Sequence, residues 1–231
     1  MHKQGEAMTA KVYLIDDEPV ITYVLVDLVE SIGLPYAVFN NSLSFLEQAV
    51  PAMSGCIVTD VRMPGMSGLD LQDELRARQI DLPIIFISSY PEVPSVVRAM
   101  RGGALDFFQK PFSTQQLLDR IQDGLRIDQA RAEMQAKSRE VGERMALLTP
   151  REKEVLAGIF EGKLTKVIAD ELGISQRTAE TYRHLIMQKL QAGSVAELVR
   201  MSMEFMPRPA AGGQPAAPLR PQPVPGRSST F

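Results

Sequence analysis

Residues 56 to 70 read CIVTDVRMPGMSGLD, and their order decides the fold. Cys56, Ile57 and Val58 form a short apolar run without polar alternation, the pattern of a strand covered on both faces. Asp60 then follows Thr59 at the point where that strand should stop. A carboxylate at the rim of an apolar core is costly unless a cation or hydrogen bonds compensate it, so Asp60 predicts partners elsewhere in the chain.

Outward from this stretch the same kind of run recurs. KVYLID (11–16), YAVFN (36–40), PIIFIS (83–88) and LDFFQK (105–110) are strand-like, and amphipathic segments such as PVITYVLVDLVESIG (19–33) and STQQLLDRIQDGLR (113–126) separate them. Apolar strands alternating with helices predict an α/β domain over 10–126, a parallel sheet between two helical layers. Residues 127–146 are charged, Ala-rich and free of proline, which predicts a helical linker. From 147 to 205 the pattern is all-helical, a small second domain. Residues 206–231 are rich in Pro, Gly and Ala with few large apolar groups, and are expected to be disordered; PLRPQP (218–223) within them is compatible with a polyproline ligand.

Composition excludes several classes. With 231 residues, 45% hydrophobic and 23% charged, the chain has the makeup of an ordinary soluble protein with room for two modest cores. The opening MHKQGEAMTAKVYLI has too short an apolar run for a signal-peptide core, and no segment reaches the length of a membrane span, so a cytoplasmic protein without membrane contact is expected. The single cysteine, Cys56, rules out an internal disulfide and reads as a small buried hydrophobe. A net charge of -3 neither demands nor forbids a nucleic-acid partner.

The partners for Asp60 stand at other strand ends. The first strand ends in Asp16, Asp17 and Glu18, the fourth in Ser88 and Ser89, the fifth in Lys110 before Pro111. In an open parallel sheet the carboxyl ends of the strands form the ligand site, so these groups converge. Clustered carboxylates repel one another unless a hard divalent cation and an ammonium share the site; Mg2+ and Lys110 supply both.

In the second domain, LTPREKEVL places Thr149 as an N-cap, Pro150 at the first helical position and Glu152 three residues after the cap, a capping box. TKVIADELGISQRTAETYRHLIMQKL (165–190) predicts a helix ending near Gly173, a tight turn, Ser175 as a second N-cap and a further helix to about Leu190: a helix-turn-helix. A 100° wheel sets Ala179, Ile186 and Leu190 on one side of the last helix, flanked by Tyr182, with Arg177, Thr181, His184 and Gln188 opposite and Glu180 beside them. That outward face could read base edges, and Lys163, Lys166, Arg183 and Lys189 could meet phosphates.

Residues 10–126, through LIDDE, TDVRMPGMSG, PIIFISS and FFQKPF, resemble the receiver domain of two-component response regulators. The resemblance implies a flavodoxin-like five-stranded fold with strand order 2-1-3-4-5. It further implies Asp60 as phosphoacceptor, Asp16 and Asp17 as Mg2+ ligands with it, Ser88 binding phosphoryl oxygens, Lys110 pairing with the acyl phosphate, and Phe107 as the aromatic switch. Residues 147–204, through LTPREKEVL, IADELGIS and RTAETYRHLIMQKL, resemble the LuxR-type DNA-binding domain, and the chain to about 205 resembles the NarL/FixJ class. Leu164-Thr165-Lys166 departs from that domain's usual small-Asn-Lys, and Ala179 stands where valine is common. The implied function is a phosphorylation-dependent transcription regulator, not a metabolic enzyme, with a sensor histidine kinase and promoter DNA as partners. Phosphorylation is expected to pair two receivers through the fourth helix, fifth strand and fifth helix. Two alternatives are an aspartyl-phosphate phosphohydrolase, which would need a second Asp where Arg62 stands, and a regulator whose DNA binding ignores phosphate.

Overall fold

A computed structural model describes residues 10–205, which fall into two compact units, one within Met1–Ala136 and one within Lys137–Phe231. The readings made for the opening nine residues and for the tail from 206, its PLRPQP included, lie outside the described residues. Among those residues no helix is long and apolar enough to cross a membrane.

The first unit is built on strands β1 (Lys11–Ile15), β2 (Tyr36–Phe39), β3 (Gly55–Asp60), β4 (Ile84–Ser88) and β5 (Asp106–Gln109). All neighbours pair in parallel in the order β2-β1-β3-β4-β5, with Ile15 opposite Thr59, Asp60 opposite Ile87 and Ser88 opposite Gln109. Helices α1 (Pro19–Glu30), α2 (Ser42–Leu46), α3 (Gly68–Ala77) and α4 (Val93–Arg101) connect the strands, and α5 (Thr114–Ala146) follows the last. This is the expected parallel α/β fold. Strand pleat divides its core in two: Tyr13, Ile15, Ile57, Ile84 and Phe86 face one helical layer, and Val12, Leu14, Cys56, Val58, Ile85 and Ile87 face the other. Burial pushes the Cys56 thiol up to about 12, in keeping with an inert core residue.

Helix α5 runs unbroken through the segment read as a linker. Asp128, inside that segment, is buried, and its Oδ2 accepts from Ser54 Oγ at 2.5 Å and the Gly55 N–H at 2.8 Å. Arg131 pairs with Asp81 at 3.1 Å. The first part of the extension thus packs as part of the sheet domain, because Asp128 continues the buried stripe of Leu117, Ile121 and Gly124 along one helix face.

The second unit contains α6 (Pro150–Phe160), α7 (Thr165–Leu172), α8 (Gln176–Leu190) and α9 (Val195–Phe205). Val155, Ile159, Ile168, Ile186, Leu190 and Leu198 form its core. The capping box is present in full: Thr149 Oγ1 accepts from the Glu152 N–H, and Glu152 Oε2 accepts from the Thr149 N–H at 2.7 Å. Gly173 closes α7 in the left-handed region at φ 64°, where glycine avoids the steric cost of a side chain, and Ser175 Oγ caps α8 through the Thr178 N–H at 3.1 Å.

Candidate functional site

Pleat parity explains how the first site assembles. Asp16 continues the alternation Val12, Leu14; Asp60 continues Cys56, Val58; Lys110 continues Phe108. All three therefore emerge on one face at the carboxyl edge of the sheet, after β1, β3 and β5. Lys110 Nζ lies 2.9 Å from Asp16 Oδ2 and 3.4 Å from Asp60 Oδ2, with the three side chains almost excluded from solvent. Asp17, of opposite parity, turns into the bend after β1 and is exposed. Ligand oxygens of Asp16, Asp17 and Asp60 still lie within 4.8 Å of one another.

The backbone supplies further order. The Val61 N–H donates to Asp60 Oδ1 at 2.7 Å, and the Glu18 N–H to Asp16 Oδ1 at 2.8 Å. The loop leading to α3 comes close enough that a Cβ on Gly68 would sit 2.2 Å from the Asp60 carbonyl oxygen, so only glycine fits there. Burial pushes the Asp16 carboxyl above its ordinary range; the Lys110 hydrogen bond, the Glu18 N–H and the Lys110 charge oppose it without winning. Burial likewise raises Asp60 against the charge of Lys110 and the Val61 N–H. For Lys110 burial works against the charged form, but the hydrogen bond to Asp16 and the charges of Asp16 and Asp60 carry its value upward. The site is thus a buried, acid-rich cluster with one cation, a donor set of hard oxygens that suits a small divalent ion.

Ser88 and Phe107 occupy the other parity. Ser88 is buried at the end of β4 while Ser89 is exposed, and Ser88 Oγ accepts from the Tyr90 N–H at 3.3 Å. Phe107 is half-buried opposite Phe86, ring centroids 6.1 Å apart. Arg62, two residues after Asp60, is exposed and ion-paired with Glu92.

In the second unit, helix α8 buries Ala179, Ile186 and Leu190, with Tyr182 partly packed on the core, as the wheel requires. Arg177, Glu180, Thr181, His184 and Gln188 are exposed, and Arg183 is half-exposed. Among the described residues no hydrogen bond or ion pair engages the side chains of Lys166, Arg177, Arg183 or His184. The Thr181 hydroxyl donates to the Arg177 carbonyl at 2.9 Å, and Glu180 accepts from Gln176 Nε2 at 3.2 Å. Two lysines offered as phosphate contacts are engaged elsewhere. Lys189 Nζ donates to Glu152 Oε2 at 2.7 Å and to the Leu147 carbonyl at 3.2 Å, and Lys163 bridges Glu161 and Glu171 at 2.7 Å each. The Lys189 hydrogen bond, aided by the Thr149 N–H, holds the Glu152 carboxyl below its usual range, so Lys189 serves the capping box.

The sequence reading placed Glu18 among the strand-end acids but gave it no bond to Lys110, and it missed Asp128 and the Lys189–Glu152 pair. The position of Asp128 on an apolar stripe would have marked it; nothing in the periodicity marks the Lys189–Glu152 pair.

Comparison with known proteins agrees with both halves. Residues 12–122 match the response regulator receiver domain, and residues 146–202 match the bacterial regulatory proteins of the luxR family. The transcriptional regulatory protein FixJ of Bradyrhizobium diazoefficiens is 40% identical over 85% of this chain and 97% of its own length. The transcriptional regulatory protein TdiR of Thauera aromatica is 37% identical over 98% of this chain and 96% of its own. Among solved structures, the response regulator StyR superposes with a TM-score of 0.77 at 38% identity, covering 85% of this chain and all of that one. With the strand order, the acid-rich strand ends and the helix-turn-helix in place, these relatives show that the chain belongs to the FixJ-like response regulators, a receiver domain joined to a LuxR-type DNA-binding domain.

Proposed function

We propose that this regulator accepts a phosphoryl group on Asp60 from a sensor histidine kinase, dimerises, and in that form binds promoter DNA in the bacterial cytoplasm. The observation that carries the reading is the buried Asp60 carboxylate held within 3.4 Å of the Lys110 ammonium and beside two further acids. Asp60 Oδ1 accepts from the Val61 N–H, and Oδ2, facing Lys110, is the proposed attacking atom. The new bond joins that oxygen to phosphorus as the bond from phosphorus to the donor breaks, and the donor leaves with the electron pair. Asp16, Asp17 and Asp60 would hold Mg2+, which when bound supplies charge neutralisation for the carboxylates and the phosphoryl oxygens. Lys110 then takes a phosphoryl oxygen as its partner, and Ser88 offers its hydroxyl donor, since its lone pair already serves Tyr90. Phe107, packed on Phe86 on the same face of the sheet as Ser88, would follow that hydroxyl as the switch. Arg62 brings no carboxylate that could act as acid or base for hydrolysis, which favours a stored phosphoryl group over a turnover cycle.

The candidate dimer face includes α4, whose Val93, Val97 and Met100 are exposed at successive turns. One recognition helix buries little surface, so two copies on a two-fold-related site are needed for tight binding. Lys166, Arg177, Glu180, Thr181, Arg183, His184 and Gln188 form the proposed DNA surface. Selection of sites from random DNA tests it. His184→Ala and Thr181→Ala should each alter preference at particular bases by about 1–3 kcal/mol, whereas Lys166→Ala should weaken all sequences alike and lower the salt slope by about one. An unchanged motif for both His184→Ala and Thr181→Ala would mean that this face does not read bases.

A further inference from the structure

Glu18 is the N-cap of α1, where an acidic side chain normally accepts from the first free N–H groups of the helix. It makes no such bond. Its Oε1 accepts instead from Lys110 Nζ at 3.2 Å, while its backbone N–H orients Asp16. Lys110 is therefore nearer to Asp16, at 2.9 Å, and to Glu18 than to Asp60, at 3.4 Å. Asp16 and Asp60 are enclosed, but the Glu18 side chain is 53% exposed, which sets its charge at the mouth of the site.

We propose that Glu18 is a positioning residue for phosphoryl transfer to Asp60: it holds the Lys110 ammonium away from Asp60 in the unmodified protein and competes with the arriving phosphoryl group for it. The proposal rests on Asp60 being the phosphoacceptor. The reason is electrostatic. A phosphoryl donor brings negative charge to a site that already has four carboxylates and one ammonium, and Glu18 both repels the donor and occupies a proton donor that the phosphoryl oxygens need. With acetyl phosphate the transfer forms a bond from an Asp60 oxygen to phosphorus, breaks the bond from phosphorus to the acetyl oxygen, and releases acetate with the electron pair; no proton moves. Removing the Glu18 charge frees Lys110 for that step without touching the carboxylates around Asp60.

The test is the initial rate of Asp60 labelling in the full chain with acetyl phosphate and saturating Mg2+. Glu18→Gln should label about three- to tenfold faster than the parent at low salt, with Glu18→Asp, which keeps the charge, closer to the parent. Between about 0.05 and 0.5 M salt the Gln advantage should shrink toward one, because screening weakens the term being removed. A loss of helix packing alone would change stability but not this salt dependence. Equal rates for Glu18→Gln and the parent at low salt, or an advantage indifferent to salt, overturn the proposal. A parent that takes up no label overturns the phosphoacceptor reading itself, so the two failures are distinct.

Discussion

Asp60→Asn should take up no acid-stable, base-labile phosphoryl group from a small phosphodonor that labels the parent once per chain, and at neutral pH it should be more stable than the parent. The first half follows from replacing the attacking carboxylate with a neutral amide of the same shape. The second follows from the direction of the Asp60 shift. Burial holds its carboxyl above the ordinary range, so the folded protein binds that proton more tightly than the unfolded chain does. Its favourable contribution is present below the unfolded pKa, about 3.9, and is lost as pH rises through the folded value. At neutral pH the ionised group is a cost, and Asn removes it while an amide oxygen still accepts from Val61. Urea midpoints should show an Asn advantage at pH 7 that shrinks toward pH 4. A parent as stable as Asp60→Asn at neutral pH would refute this electrostatic account.

Lys110→Ala should have the opposite effect on stability and an equally large one on function. The ammonium is the cation held between two buried carboxylates, and its loss leaves them uncompensated. Breaking such a pair costs about 3 kcal/mol. Because Asp16, Asp17 and Asp60 are all retained, Mg2+ should still bind and recover part of that loss as its concentration rises, by mass action. Labelling should fall about a hundredfold or more, since a positioned charge on the transferring group is removed. Thermal melts with and without Mg2+, run beside labelling assays, check both halves; a variant that melts and labels like the parent would remove Lys110 from the site.

Much of this architecture was legible because strand parity and strand ends are local features. The apolar runs around Val12, Val58 and Ile85 require a sheet covered on both faces, and Asp16, Asp60 and Lys110 follow from where those runs stop. The α8 wheel and the Thr149 capping box were equally local, and both stand as read. What escaped was decided by approach in three dimensions. Glu18 stands in the sequence with the acids at the first strand's end, but its bond to Lys110 shows only once that distant residue is beside it. Lys189 and Lys163 read as free cations until Glu152, Glu161 and Glu171 are seen to hold them. Asp128 is the intermediate case: its place on the apolar stripe of α5 was visible, but its acceptor role needed the start of β3 beside it.

Whether a phosphoryl group on Asp60 controls DNA binding is decided by one titration: the full chain against a selected DNA site, with and without acetyl phosphate and Mg2+, for the parent and Asp60→Asn. Phosphodonor should tighten parent binding by about tenfold or more, within the usual range of coupling between two sites, and leave Asp60→Asn unmoved. Equal affinity of the parent in both conditions, or the same tightening in Asp60→Asn, would contradict it.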